Sequence, residues 1–97
     1  MRIEIKKFGD VLVSRQAGRE AFAAFLPTLR TIKEGGVILV DFSGVIVLSP
    51  SWADEFLTPL LDRFGNNLRL IPSQNSSVKL TIQTIEEILK KDFQIWD

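Results

Sequence analysis

The chain has 97 residues, of which 45% are hydrophobic, with 12 basic and 12 acidic side chains and neither cysteine nor histidine. This length and composition suit one domain, residues 1–97, built around a single core. The absence of cysteine and histidine excludes disulfides, thiol and imidazole chemistry and the usual zinc sites. The balanced charge argues against binding to nucleic acid.

The N-terminal third predicts two strands and a helix. Apolar residues alternate over residues 3–8, and a second short strand follows at residues 11–14, so we expect an opening hairpin. From Ser14 onward the apolar period becomes helical, with Ser14 as the N-cap and glycines 35–36 as the stop. Pro27 falls inside this helix and should kink or break it.

The middle of the chain predicts a buried strand, a short strand and a second helix. Residues 36–42 contain a continuous apolar run that ends in Asp41, which is typical of a central strand buried on both faces. A short strand follows at residues 43–49. The apolar stripe over residues 53–64 then predicts a helix that ends at Gly65.

The last third predicts a strand at residues 67–71 and a third helix over residues 78–89, capped by Ser76 or Ser77. The tail at residues 93–96 could pair at a sheet edge or pack under a helix. Strands that alternate with helices indicate an α/β fold, with a mixed sheet of four to five strands and about three helices, for which a two-layer arrangement is possible.

No segment has the pattern of a membrane span or an export signal. The longest uncharged run, Phe42–Ala53, is far shorter than the ~20 residues of a membrane helix. The N-terminal charges are not followed by the apolar segment of a signal peptide. We therefore expect a cytoplasmic protein that makes no membrane contact.

The stretch "VLSPSWADEF", residues 47–56, carries the most informative polar residues. Ser51 and Asp54 have the spacing of a helix-capping box, so a structural cap is the first interpretation of Ser51. In an alternative register Ser49 is the cap and Pro50 the first helical residue. Ser51 could also be a phosphorylation site, because a helix start can hold a phosphate and the added charge would change the surface.

The carboxylates do not form an evident catalytic pair. Asp54 and Glu55 are adjacent on a helix and point about 100° apart. Asp41 could join one of them at a Mg²⁺ site, but a bidentate partner in Arg15 is the stronger expectation. Trp52 is expected to be partly buried, and an exposed Trp52 would be a candidate anchor for a protein partner.

Three segments resemble the STAS-like domains of bacteria, a group without an assigned function. They are "LVSRQAGREAF" (12–22), "VDFSGV" (40–45) and "SPSWADEF" (49–56). The order of elements is also similar to that of the wider STAS superfamily, which includes the anti-sigma factor antagonists. When the chain from Asp41 onward is laid against the Asp-Ser-Ser-Gly segment of the antagonists, Ser51 falls on the serine that they present for phosphorylation, and Trp52 on the glycine that follows it.

The resemblance implies a non-catalytic regulatory module that binds a protein partner, such as a serine kinase of the anti-sigma class, and needs no cofactor. It makes Ser51 the candidate phosphorylation site. The residues that would contact the partner or support the loop are Arg15, Asp41, Ser49, Trp52, Asp54 and Glu55. Two alternatives stay open: a constitutive scaffold or homodimer in which Ser51 only caps the helix, and a metal-dependent hydrolase built on the carboxylates.

Overall fold

A computed structural model describes all 97 residues. The strands are β1 (Arg2–Glu4), β2 (Val11–Leu12), β3 (Ile38–Asp41), β4 (Val47–Leu48), β5 (Leu68–Leu70) and β6 (Gln94–Ile95). The helices are α1 (Arg15–Leu29), α2 (Pro50–Phe64) and α3 (Ser76–Leu89), and short 3₁₀ turns lie at Ile5–Phe8 and Gly65–Asn67. The predicted α/β fold with three helices is confirmed.

The six strands form two sheets. The main sheet has the order β1-β3-β5-β6, and β2 pairs with β4 in a separate two-stranded sheet. The sheet predicted as mixed contains only parallel pairs, as does the small one. The predicted opening hairpin is wrong, because the 3₁₀ turn Ile5–Phe8 leads the chain out of the main sheet before β2 begins.

The main sheet has one buried face and one open face. In β1, buried Ile3 lies between exposed Arg2 and Glu4, and in β5 two buried leucines flank half-buried Arg69. Ile3 is paired with Val40 in the register of β1 and β3, so these side chains belong to the same buried face. The helices cover this face and enclose a core of 21 buried apolar residues.

The N-cap predicted from the sequence is correct for α1 and wrong for α3. Ser14 caps α1 as predicted, since its hydroxyl accepts a hydrogen bond from the Ala17 N–H at 2.9 Å. The predicted cap of α3 is wrong: Asn75, rather than a serine, accepts from the Val78 N–H at 3.0 Å.

Pro27, which was expected to kink or break α1, does not break it, because the helix continues through Pro27 to Leu29.

The C-terminal tail pairs at the sheet edge, where β6 lies beside β5, which was one of the two expected arrangements. No helix in the structure has the length and apolar character that a membrane crossing requires.

Candidate protein-interaction surface

Ser49, not Ser51, caps helix α2. Its hydroxyl accepts a hydrogen bond from the Trp52 N–H at 3.2 Å and donates one to the Val13 carbonyl at 2.8 Å. Pro50 is the first helical residue, where its missing N–H costs nothing. The capping-box interpretation of Ser51 is therefore wrong, and the alternative register is the one that the chain adopts.

Ser51 is the second residue of α2 and is half-buried. Its hydroxyl makes no side-chain hydrogen bond, and the cap of α2 is formed by Ser49 alone. The fold therefore has no evident need for this hydroxyl.

Trp52 lies inside the core rather than at the surface. Only 1% of it is exposed, and its ring stacks on Phe56 with centroids 5.1 Å apart and an interplanar angle of 22°. The expectation of partial burial and the role of Trp52 as a partner anchor are both wrong. The helical stripe could have shown this, because Trp52 precedes Phe56 by four residues and lies on the same face.

Four charged side chains connect α1 to the first turns of α2. Arg15 contacts Asp54 at 2.9 Å and Glu55 at 3.7 Å, and Arg19 contacts Glu55 at 3.0 Å. The hydrogen bond from Arg15 is the main reason why the pKa of Asp54 is lowered, and the same bond raises the pKa of Arg15. Arg15 thus lies between the two carboxylates and Arg19 adds a second contact to Glu55, which is the geometry of a charged helix contact rather than of an acid/base pair.

The two helices approach each other closely at Gly18. A Cβ atom at this position would lie 2.5 Å from the Trp52 carbonyl oxygen, closer than nonbonded atoms allow. Glycine at this position therefore lets α1 reach the start of α2 and brings Arg15 and Arg19 within range of their carboxylates.

Asp41 holds the beginning of the loop between β3 and β4. One carboxylate oxygen accepts from the Arg2 guanidinium, with Nε at 3.2 Å, and the other accepts from the Ser43 N–H at 2.9 Å and hydroxyl at 2.7 Å. These bonds, led by that of Arg2, lower the pKa of Asp41 to about 2. Sequence reasoning did not identify Arg2 as this partner.

Asp41 does not join Asp54 or Glu55. Its partners are Arg2 and Ser43, whereas the carboxylates of α2 pair with arginines of α1. No group of three or more acidic side chains in the structure could hold a metal ion. The site that the metal-hydrolase alternative requires is not assembled by this fold.

A group of four exposed apolar side chains lies on or directly beside the small sheet and was not identified from the sequence. It consists of Val11, Val13, Ile46 and Val47, which are 54%, 51%, 59% and 36% exposed; we call it the β2–β4 patch. Val11 pairs directly with Val47. The patch adjoins the α2 start, because Ser49 donates to the Val13 carbonyl. Period-2 signals are weak in strands of two residues, so the sequence did not separate the outer side chains from the buried Leu12 and Leu48.

Comparison of the chain with models of protein families, with curated proteins and with solved structures finds no match. The observation in the structure that bears on function is therefore the geometry of this surface.

Proposed function

We propose that the protein is a STAS-like regulatory module, without catalytic activity or cofactor, that acts in the cytoplasm by binding a protein partner. The observation that carries this proposal is the β2–β4 patch beside the start of α2. Single exposed apolar residues are common on protein surfaces, but neighbouring ones on a short sheet are typical of an interaction site. The partner suggested by the resemblance is a serine kinase of the anti-sigma class.

The regulatory element of the proposal is Ser51. Helix capping does not explain the Ser51 hydroxyl, because Ser49 is the cap of α2. A phosphate would add about −1.5 to −2 charges at pH 7. Asp54 and Glu55 follow within the next turn, and their own charges are already matched by Arg15 and Arg19. The new charge would thus be surplus at this surface and would weaken binding of the partner.

The docking step is tested by pull-down with candidate kinases, using two variants matched in exposure. Ile46→Asp introduces a charge into the β2–β4 patch, and Ile88→Asp introduces one at an α3 residue that is 66% exposed and lies elsewhere. We expect Ile46→Asp to abolish capture and Ile88→Asp to retain it. Equal capture by both variants would refute the location of the interface.

The switch is tested separately by incubation with the kinase and intact-mass measurement. We expect one added phosphate on the wild type and none on Ser51→Ala, and weakened capture of Ser51→Asp. A phosphate that persists in Ser51→Ala, or unchanged capture of Ser51→Asp, would remove Ser51 from the proposal while leaving the interface intact.

A constitutive homodimer is the second candidate, and the same patch favours it, because Val11 and Val47 could pack on their copies across a twofold axis. In that case sedimentation shows a dimer for the wild type and for Ser51→Asp, and a monomer for Ile46→Asp.

A further inference from the structure

A second surface feature, separate from the β2–β4 patch, is a concave groove between α3 and the β5–β6 end of the main sheet. Its volume is about 720 Å³. This lies within the range of about 300–1,000 Å³ that is typical of sites for small molecules. The apolar side chains that line it include Phe42, Leu70, Val78, Leu80, Ile82 and Ile95.

The groove has a deep part and a rim. Phe42, Leu70 and Val78 are at most 4% exposed and form its floor, whereas Leu80 and Ile95 are 63% and 52% exposed at its edge. A ligand with an apolar body would cover these edge residues and remove apolar surface from water. The floor is already formed in the free protein, so little reorganisation would oppose binding.

The polar groups of the rim are arranged asymmetrically. At one end lies Lys79, the only cation of the lining, which forms no salt bridge and donates only to the Gln74 side chain at 3.4 Å. Ser76 is its neighbour on the same end of α3. At the other end Glu86 is occupied by a hydrogen bond from the Phe93 N–H at 2.9 Å. Seven helical positions, about 10 Å, separate Lys79 from Glu86.

We propose that this groove binds an apolar monocarboxylate of the fatty-acid type, with its head group beside Lys79 and its chain over Ile82 toward Ile95. An anionic head complements the unpaired ammonium group, and the opposite end repels it because the Glu86 carboxylate lies there. A neutral or cationic head lacks the first interaction. The groove therefore selects the ligand's head group by charge at the Lys79 end and its chain by apolar contact along the rest.

Isothermal titration with decanoate, below its micelle-forming concentration, tests the proposal. We expect saturable binding of one molecule per chain, weaker binding of decanol, and none of decyltrimethylammonium. Lys79→Gln should reduce the affinity for decanoate to that for decanol. Binding without saturation, or equal binding of the three compounds, would overturn the proposal.

Two variants of α3 locate the site. Leu80 and Ile88 are 63% and 66% exposed, so aspartate at either position should leave the fold intact, but only Leu80 lines the groove. We expect Leu80→Asp to weaken decanoate binding at least about tenfold, which corresponds to ~1.4 kcal/mol, and Ile88→Asp to leave it unchanged. Circular dichroism checks that both variants are folded. Equal affinities of the two variants would exclude the groove as the site.

Discussion

The half of the molecule built from α1 and α2 is assembled differently from the half built from α3 and β6. Between α1 and α2 lies an aromatic cluster of five rings, in which Trp52 and Phe56 stack and Phe8, Phe22 and Phe25 pack around them. Gly18 lets the backbones approach, and three ion contacts lie along the edge of the interface. Side-chain packing dominates this half.

Helix α3 contributes Val78 and Ile85 to the core and is also held by hydrogen bonds to the backbone of other segments. Ser77 bonds both to the N–H and to the carbonyl of Leu48, and the Asn75 amide donates to the carbonyls of Val45 and Ile46. The apolar side of α3 does not pack completely against β5 and β6, and the groove lies where contact is missing. The halves therefore differ in how completely their interfaces are filled: aromatic rings fill the space between α1 and α2, whereas the interface of α3 with β5 and β6 leaves a groove.

The largest difference between the halves should appear when one large side chain is removed from each. Trp52→Ala is expected to lower the free energy of unfolding by about 3–5 kcal/mol, because it leaves a cavity in the aromatic cluster. Ile82→Ala is expected to cost less than about 2 kcal/mol, because part of this side chain already faces the open groove. Urea unfolding measures both values, and equal losses would contradict the comparison.

The second prediction tests the close approach of α1 and α2 at Gly18. Gly18→Val places side-chain atoms against the Trp52 carbonyl, and we expect a loss near the upper end of the ~1–3 kcal/mol that overpacking costs. Ala24→Val puts the same residue at an exposed position of α1 and should cost less than about 1 kcal/mol. Thermal unfolding of the two variants separates the steric effect from helix propensity. Similar melting temperatures would show that the helices are free to move apart.

The signals that succeeded in the sequence are those whose physical cause is local. The cap at Ser14 needs only the N–H groups that follow it, and the stripe over residues 53–64 needs only the helical period. The apolar run at residues 36–42 was assigned to a central strand buried on both faces. The central position is confirmed, since β3 lies between β1 and β5, but the second face is open and Leu39 is only half-buried. The spacing of Trp52 from Phe56 is a signal of the same local kind, but the burial of Trp52 was not predicted from it.

The features that were missed depend on distant partners. Asn75, Ser76 and Ser77 are all acceptable caps, and the choice of Asn75 is fixed by its bonds to carbonyls 29 and 30 residues away. The partner of Asp41 is Arg2, 39 residues away, because β1 and β3 are neighbours in the sheet. The exposure of the β2–β4 patch likewise depends on which strands pair. This pairing cannot be read from the sequence alone.

The third prediction concerns the loop that connects the main sheet to the β2–β4 patch. Asp41→Asn removes hydrogen bonds to a charged group and should cost about 2 kcal/mol at pH 7. Folding lowers the pKa of Asp41 from 3.8 to about 2, so its contribution is full above about pH 4 and is lost as the pH falls toward 2. The stability difference between wild type and variant should therefore shrink over this range. The matched control is Asp62→Asn, which changes an exposed carboxylate on α2. A stability difference between wild type and Asp41→Asn that stays constant from pH 7 to pH 2 would contradict the role assigned to Asp41.

The smallest effects separate two serines that stand two positions apart at the start of α2. Ser49→Ala loses the helix cap and the bond to the Val13 carbonyl, and should lower the free energy of unfolding by about 0.5–2 kcal/mol. Ser51→Ala should change it by no more than about 0.5 kcal/mol, because no hydrogen bond of the α2 start uses that hydroxyl.

Chemical unfolding of both variants in parallel decides between the two registers, since the residue type and its replacement are the same. A larger loss for Ser51→Ala would mean that α2 begins later than Pro50 and that Ser51 has a structural role. A larger loss for Ser49→Ala than for Ser51→Ala would show that the fold does not need the Ser51 hydroxyl. A phosphorylation site at the start of a stable helix must meet this condition, because the modification then changes the surface without unfolding the domain.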